Sequence, residues 1–236
     1  MASPQVVSNQ QDLHPRLTQV VSCHLNSAYQ RPYGAFSRRA FAILVHWRSR
    51  WPGPLVVDAG CGVGYSTRLL AERHSEALVV GIDKSAQRLA KAPPLPANGR
   101  LLRGDLVDLW RLMAAAGWRL SHHYLWYPNP WPKACHLRRR WHGSPAFAAL
   151  LALGGQLEVR SNWRIYLDEF AAALTLGHCG AKVRPFEPGD APVTPFEGKY
   201  ARSGHRLWRC TADLDAPQPV ATSQRSNANP GGRASP

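Results

Sequence analysis

Three observations predict an α/β fold, a mostly parallel sheet with helices on both faces. Short apolar runs alternate with helical patterns, a glycine-rich turn follows the first run, and an acidic residue closes each of the first three. The runs are Leu55-Val-Val, Ala77-Leu-Val-Val-Gly-Ile, Leu101-Leu, Tyr124-Leu-Trp-Tyr and Gln156-Leu-Glu-Val. Between Asn162 and Leu176 the apolar period changes to that of a helix, with Trp163, Tyr166, Leu167, Phe170, Ala171 and Leu174 on one face. The chain divides into an N-terminal arm or helical segment over 1–50, one domain over 51–212 and a tail over 213–236. The tail, rich in Pro, Ala, Ser, Asn, Gly and Gln, buries too little to offset its ordering entropy, which predicts disorder. Residues 1–12 read as similarly loose. Further on, Tyr29, Arg31, Tyr33, Phe36, Arg38, Arg39 and Phe41 suit a lid, an RNA arm or plain packing on the core.

With 236 residues and 44% hydrophobic side chains, the chain can build one sizeable core. Twenty-nine Lys and Arg against 15 Asp and Glu give a formal charge of +14, an excess that attracts polyanions by counterion release. A nucleic-acid partner is expected. The five cysteines (Cys23, Cys61, Cys135, Cys179, Cys210) form no C-x-x-C pair, so neither a disulfide framework nor a zinc module is expected, and a reducing cytoplasm fits. The first residues lack the pattern of a secretory leader, and no run of about eighteen apolar residues occurs. A soluble cytoplasmic protein without a membrane partner is expected, and nothing separates monomer from homodimer.

The segment Val56-Val-Asp58-Ala-Gly60-Cys-Gly62-Val-Gly64 is a strand running into a glycine turn, with a helix expected from near Ser66. Glycines let the backbone pass close to a ligand, and Asp58 ends the first strand, where open α/β sheets bind ligands. A dinucleotide fingerprint fails, because Tyr65 stands where its third glycine would follow Gly60 and Gly62. The pattern D-x-G-x-G-x-G resembles motif I of the S-adenosylmethionine methyltransferases, and implies their Rossmann-like class I fold. The second strand closes on Asp83, suited to accept two ribose hydroxyls. The third leads to Asp105, placed to accept from an adenine amino group.

After the fourth run comes Tyr127-Pro-Asn129-Pro-Trp131-Pro-Lys133, then His136 and the cluster Arg138, Arg139, Arg140, Trp141 and His142. Three prolines in five residues exclude a helix, and the mixture of cations and aromatic faces suits phosphate and base contacts. Cys135-His136 lacks partner ligands at zinc-like spacing. Here the chain resembles the bacterial tRNA guanine-N7 methyltransferases. The family patterns P-D-P-W-x-K, T-D-W and T-x-F-E correspond to Pro128-Asn-Pro-Trp-Pro-Lys133, Ser161-Asn-Trp163 and Thr194-Pro-Phe-Glu197. The likeness runs from about Leu55 to Cys210.

The resemblance implies S-adenosyl-L-methionine as cofactor and tRNA, or another structured RNA, as partner, with a guanine in the variable loop as target. It implies that Asp58, Gly60, Gly62, Gly64, Asp83 and Asp105 hold the cofactor, that Asn129 faces cofactor and base, and that Lys133, Arg138, Arg139, Arg140, Asn162, Thr194 and Glu197 contact the substrate. Asn129 and Glu197 are the expected catalytic residues. The family has Asp where this chain has Asn129 and Asn162; Asn162 is also a good N-cap. Guanine N7 has an in-plane lone pair and no proton, so transfer to it needs alignment and a dry pocket rather than a base. Carboxylates near the purine would stabilise the charge that develops there, at roughly 3 kcal/mol per preorganised group. Two other readings stand beside this one. In an amine-directed nucleic-acid methyltransferase, Asn129 would accept from the target nitrogen; the other reading is a non-catalytic RNA-binding relative.

Overall fold

Leu55–Ala59 (β1) and Leu78–Asp83 (β2) are buried along their whole length, as continuous apolar runs must be in parallel strands covered on both faces. The computed structural model describes residues 2–189 and 191–217. Gly99–Arg103 (β3), His122–Trp126 (β4) and Gln156–Ser161 (β5) complete the parallel set. The sheet order is β3-β2-β1-β4-β5-β7-β6, in which Leu207–Pro217 (β7) runs antiparallel to both β5 and Cys179–Phe186 (β6). The fold is the mostly parallel α/β sheet that the alternation predicts.

Side chains alternate between two cores. Leu55, Val57, Val80, Ile82, Leu125, Val159 and Cys210 face the larger one. It is built with Leu17–Leu25 (α1), Ala35–Ser49 (α2), Leu106–Ala115 (α5), Phe147–Ala152 (α6) and Arg164–Leu176 (α7). Val56, Val79, Tyr124 and Trp126 face a smaller core, closed by Leu70 and Ala71 of Tyr65–Arg73 (α3). The short Ala86–Leu89 (α4) follows β2 and Pro195–Arg202 (α8) precedes β7. Leu17, Val20, Val21, Ala40 and Leu44 all belong to the large core, so residues 13–50 pack on the domain and are not an appended arm.

Two expectations change. Asp213–Pro217, assigned to the tail, continue β7: Asp213 pairs with Gln156, the Gly155 amide donates to Asp215 Oδ2 at 3.1 Å, and Arg119 pairs with Asp215. The remainder of the tail, 218–236, lies outside the described residues. Residues 2–12 form no helix or strand, yet they are bonded and not loose. The Ser3 amide donates to Ser203 Oγ at 2.8 Å, Ser8 Oγ donates to the Pro132 carbonyl, and Asn9 Oδ1 accepts from the Ala134 amide at 3.0 Å.

Gln10 of this segment and His14 just after it end on Glu169, inside α7, whose Oε1 accepts from Gln10 Nε2 at 2.6 Å and from the His14 amide at 2.9 Å. The other oxygen accepts from Arg140 and from His142 Nε2, the latter at 2.9 Å. Arg140 and Glu169 are both 0% exposed. Burial alone would raise the Glu169 carboxyl, but hydrogen bonds and charge from His142 and Arg140 hold it at about 2, below its ordinary 4.5. A carboxyl depressed on folding contributes stability that is complete above 4.5 and lost as pH falls toward 2. Glu169→Gln, which leaves Arg140 buried without its counter-charge, is expected to cost about 3–5 kcal/mol at neutral pH. In denaturant titrations the gap between wild type and variant should narrow steadily below pH 4.5; a constant gap would show that the ion pair does not set it.

Candidate functional site

The carboxyl ends of the parallel strands place the glycine turn, Asp83, Asp105 and the proline loop on one edge of the sheet. Gly60, Gly62 and Gly64 have φ of 77°, 59° and 74°, conformations that side-chain-bearing residues rarely adopt. A Cβ at Gly60 or Gly62 would meet no atom within 4 Å, so the turn offers bare backbone to a ligand; at Gly64 it would strike Leu101 and Ala92. Gly64 therefore serves close packing.

Asp58 is 1% exposed, and its Oδ2 accepts from Ser66 Oγ and Thr67 Oγ1, both at 2.7 Å. Burial pushes its carboxyl up to about 6. It ties β1 to the start of α3 and so braces the turn from behind. Asp83 accepts from the Gly62 amide at 3.0 Å and the Ser85 amide at 2.8 Å, with Arg88 Nη1 at 3.4 Å. Asp105 caps α5 by accepting from the Val107 amide at 3.0 Å, and its other oxygen meets Lys84 Nζ at 3.2 Å. Two carboxylates beside an open glycine turn suit hydroxyl and amine donors and disfavour a pyrophosphate. The set fits a nucleoside without phosphates.

The proline loop is held in an unusual backbone. Tyr127 and Trp131 have φ of 52° and 46°, a left-handed conformation costing on the order of 1–3 kcal/mol in a bulky residue. Opposing bonds hold it: the Tyr127 amide donates to the Arg160 carbonyl at 2.9 Å, the Trp131 amide donates to Asn129 Oδ1 at 3.2 Å, and Arg140 Nε donates to the Trp131 carbonyl at 3.2 Å. Asn129 is exposed at the loop's apex and has this structural role as well. Arg139 lies over the Trp131 ring at 4.8 Å. Lys133, Arg138 and Arg139 are exposed. A groove of about 340 Å³ between Arg138, His24 and Tyr29 extends this surface.

Four other expected substrate contacts are placed differently. Arg140 does not share the surface of its neighbours. The 3₁₀ turn ends at Arg139, and Arg140 turns inward to Glu169, to the Trp131 and Lys133 carbonyls, and over the Trp163 ring at 4.9 Å. Glu197 is 1% exposed, and its carboxylate is engaged by Tyr127 Oη at 2.7 Å, Arg160 Nη1 at 2.9 Å and the Val193 amide at 3.1 Å. Thr194 caps α8 by accepting from the Glu197 amide at 3.0 Å. These two residues build the wall beneath the loop, and the Glu197 charge is already balanced. Asn162 caps nothing: α7 begins at Arg164, and the Asn162 side chain meets His205 Nδ1 at 2.9 Å. The His205 ring stacks on Tyr200 at 5.3 Å.

Sequence reasoning missed Arg160 and His205. Arg160 joins Glu197, Glu158 at 2.7 Å and the ring of Trp126 at 4.5 Å; a basic residue closing a buried strand was its signal.

Comparison with known proteins agrees with this geometry. Residues 52–210 match the family model described as "Putative methyltransferase". A tRNA (guanine-N(7)-)-methyltransferase of Nocardia farcinica is 35% identical over 176 residues, 65% of each chain. One from Neisseria meningitidis is 27% identical over 228 residues, 88% of this chain and 95% of the relative. Among solved structures, a 16S rRNA (adenine(1408)-N(1))-methyltransferase from Catenulisporales acidiphilia with its cosubstrate superposes with a TM-score of 0.54 at 19% identity, over 75% of this chain and 93% of that one. The 16S rRNA methyltransferase KamB gives 0.51 at 18% identity, over 78% and 95%. At such identities these two show a shared fold.

The Glu197 contacts generate a prediction on stability. Glu197→Gln should lower the unfolding free energy by about 1–3 kcal/mol, because Tyr127 and Arg160 lose a charged, buried acceptor. A variant that melts like the wild type would return Glu197 to a purely ligand-facing role.

Proposed function

The chain belongs to the methyltransferase family matched over residues 52–210, and we propose that it transfers the methyl group of S-adenosyl-L-methionine to N7 of a guanine in tRNA, in the cytoplasm. The carrying observation is the rigid Pro128–Lys133 loop, which stands on the same sheet edge as the open glycine turn and presents Asn129 and Lys133 to solvent. Bound S-adenosylmethionine would supply an electrophilic methyl group on a sulfonium; the N7 lone pair would take it as the carbon–sulfur bond breaks and S-adenosylhomocysteine leaves, with no general base needed.

Asp83 and Asp105 would hold the ribose and adenine ends, and the backbone of Gly60 and Gly62 the amino-acid end. Trp131, clamped between Arg139 and the Arg140 bond to its carbonyl, fixes where the loop's apex stands. Asn129 keeps the turn that an Asp would also make, but offers no charge to a purine that is becoming positive. Because Glu197 is paired with Arg160, alignment and exclusion of water supply most of the rate. The amine-directed reading needs the Asn129 carbonyl for its target, and that oxygen, which accepts from the Trp131 amide, would have to take the second bond on its other lone pair.

S-adenosylhomocysteine near one hundred times its Kd should stabilise the protein by about 2.7 kcal/mol, NAD should not, and Asp83→Ala should abolish the shift. With labelled cofactor and unmodified tRNA, the labelled nucleoside should be 7-methylguanosine, and Asn129→Asp should raise its rate of formation. An N-methylated exocyclic amine would select the amine-directed reading. Cofactor binding with no methylated nucleoside in either protein would select a non-catalytic RNA-binding relative.

A further inference from the structure

The face of β5, β7 and β6 opposite α7 carries a row of cations. Register pairs Arg160 with Arg209 and Arg209 with Arg184, so three guanidinium side chains stand on adjacent strands at one level. Two positions further along, Lys182 pairs with Thr211 on the same face. Lys182, Arg184 and Arg209 are exposed, and with Thr211 they line a groove of about 260 Å³. Arg160 takes both neighbouring acids, Glu158 and Glu197. Asp213, next along the face, accepts from the Asp215 amide. Among the described residues, no salt bridge engages Lys182, Arg184 or Arg209.

Like charges directly opposite one another on a sheet are unfavourable, and a fold normally separates them. Protection of an exposed edge explains Lys182 and Arg184, since cations on an edge strand deter pairing with other chains. It does not explain Arg209, which lies on an internal strand between two other arginines. Such a row is relieved by a polyanion that passes over it. Arg160 sits one residue from the carboxyl end of β5, beside Tyr127 and Glu197, so the row starts under the proline loop and leads away from it across strands about 5 Å apart.

We propose that Lys182, Arg184, Arg209 and the Thr211 hydroxyl form a binding track for the phosphodiester backbone of the RNA substrate, separate from Arg138 and Arg139. The track rests on the tRNA reading, because it holds the strand that flanks the nucleotide delivered to the loop. Its contacts are to phosphates, so it supplies affinity and register rather than base choice.

The test replaces Lys182, Arg184 and Arg209 with Gln together and measures binding of an unmodified tRNA transcript over a range of salt concentrations, alongside S-adenosylhomocysteine binding and methyl transfer. Binding of tRNA should weaken at least tenfold at low salt, and the slope of log K against log salt should fall by about two to three, near one per lost phosphate contact. KM for tRNA should rise, while S-adenosylhomocysteine affinity, kcat and melting temperature stay as in the wild type. Unchanged tRNA affinity and slope, with 7-methylguanosine still formed, would overturn the track and leave the guanine reading standing. Weakened binding with a product other than 7-methylguanosine would keep the track and overturn the guanine reading. A dimeric wild type that becomes monomeric on substitution, with tRNA affinity unchanged, would identify the face as a contact between copies and overturn the track.

Discussion

The buried pair of Arg140 and Glu169 is the constraint on which the site depends. Taking both charges out of water is costly and is repaid only when their remaining hydrogen-bonding groups are satisfied. Here the satisfying groups come from elsewhere in the chain: Gln10 and His14 from the N-terminal segment, the Trp131 and Lys133 carbonyls from the proline loop, and His142 from the turn that follows. The loop expected to meet the target base is thus hung from a guanidinium in the core. The left-handed Trp131 is held by the Arg140 bond to its carbonyl, while Tyr127, equally left-handed, is held separately by the Arg160 carbonyl and Glu197.

The same economy of acids shapes the surface. Asp58, Asp83, Asp108, Glu169 and Glu197 are all buried and engaged with internal donors. Cations outnumber acids by nearly two to one, and with so many acids turned inward, the positive excess is displayed outward. It collects at Arg138 and Arg139 beside the loop and at Lys182, Arg184 and Arg209 on the open sheet face.

How far residues could be read from the chain follows from what covers them. β1 to β5 were legible because their apolar runs are buried, most of them on both faces. β6 and β7 were not, because one face is cationic and breaks every run: Ala181-Lys-Val-Arg184 and Trp208-Arg-Cys-Thr211 alternate instead. The glycine turn was legible as a place where bare backbone can approach a ligand, and the positions of Asp83 and Asp105 after their strands came with it; its positive φ angles were not read. The inward turn of Arg140 was hidden within a run of three arginines. Its signal stood in α7, where Glu169 lies between Tyr166 and Phe170 on the apolar stripe and requires a buried partner. The role of Glu197 was hidden because its partner Arg160 is 37 positions away and faces a core.

The Ser3 bond to Ser203 spans 200 positions, and His205 closes on the Ser3 carbonyl from the same end of the chain. During synthesis the first residues are made long before their partners, which follow only after nearly the whole domain, at about 5–20 residues per second. For most of that interval Gln10 and His14 have no Glu169 to bind. A nascent chain that has made only β1 to β5 therefore still lacks Glu169, the acid whose pairing with Arg140 holds the proline loop.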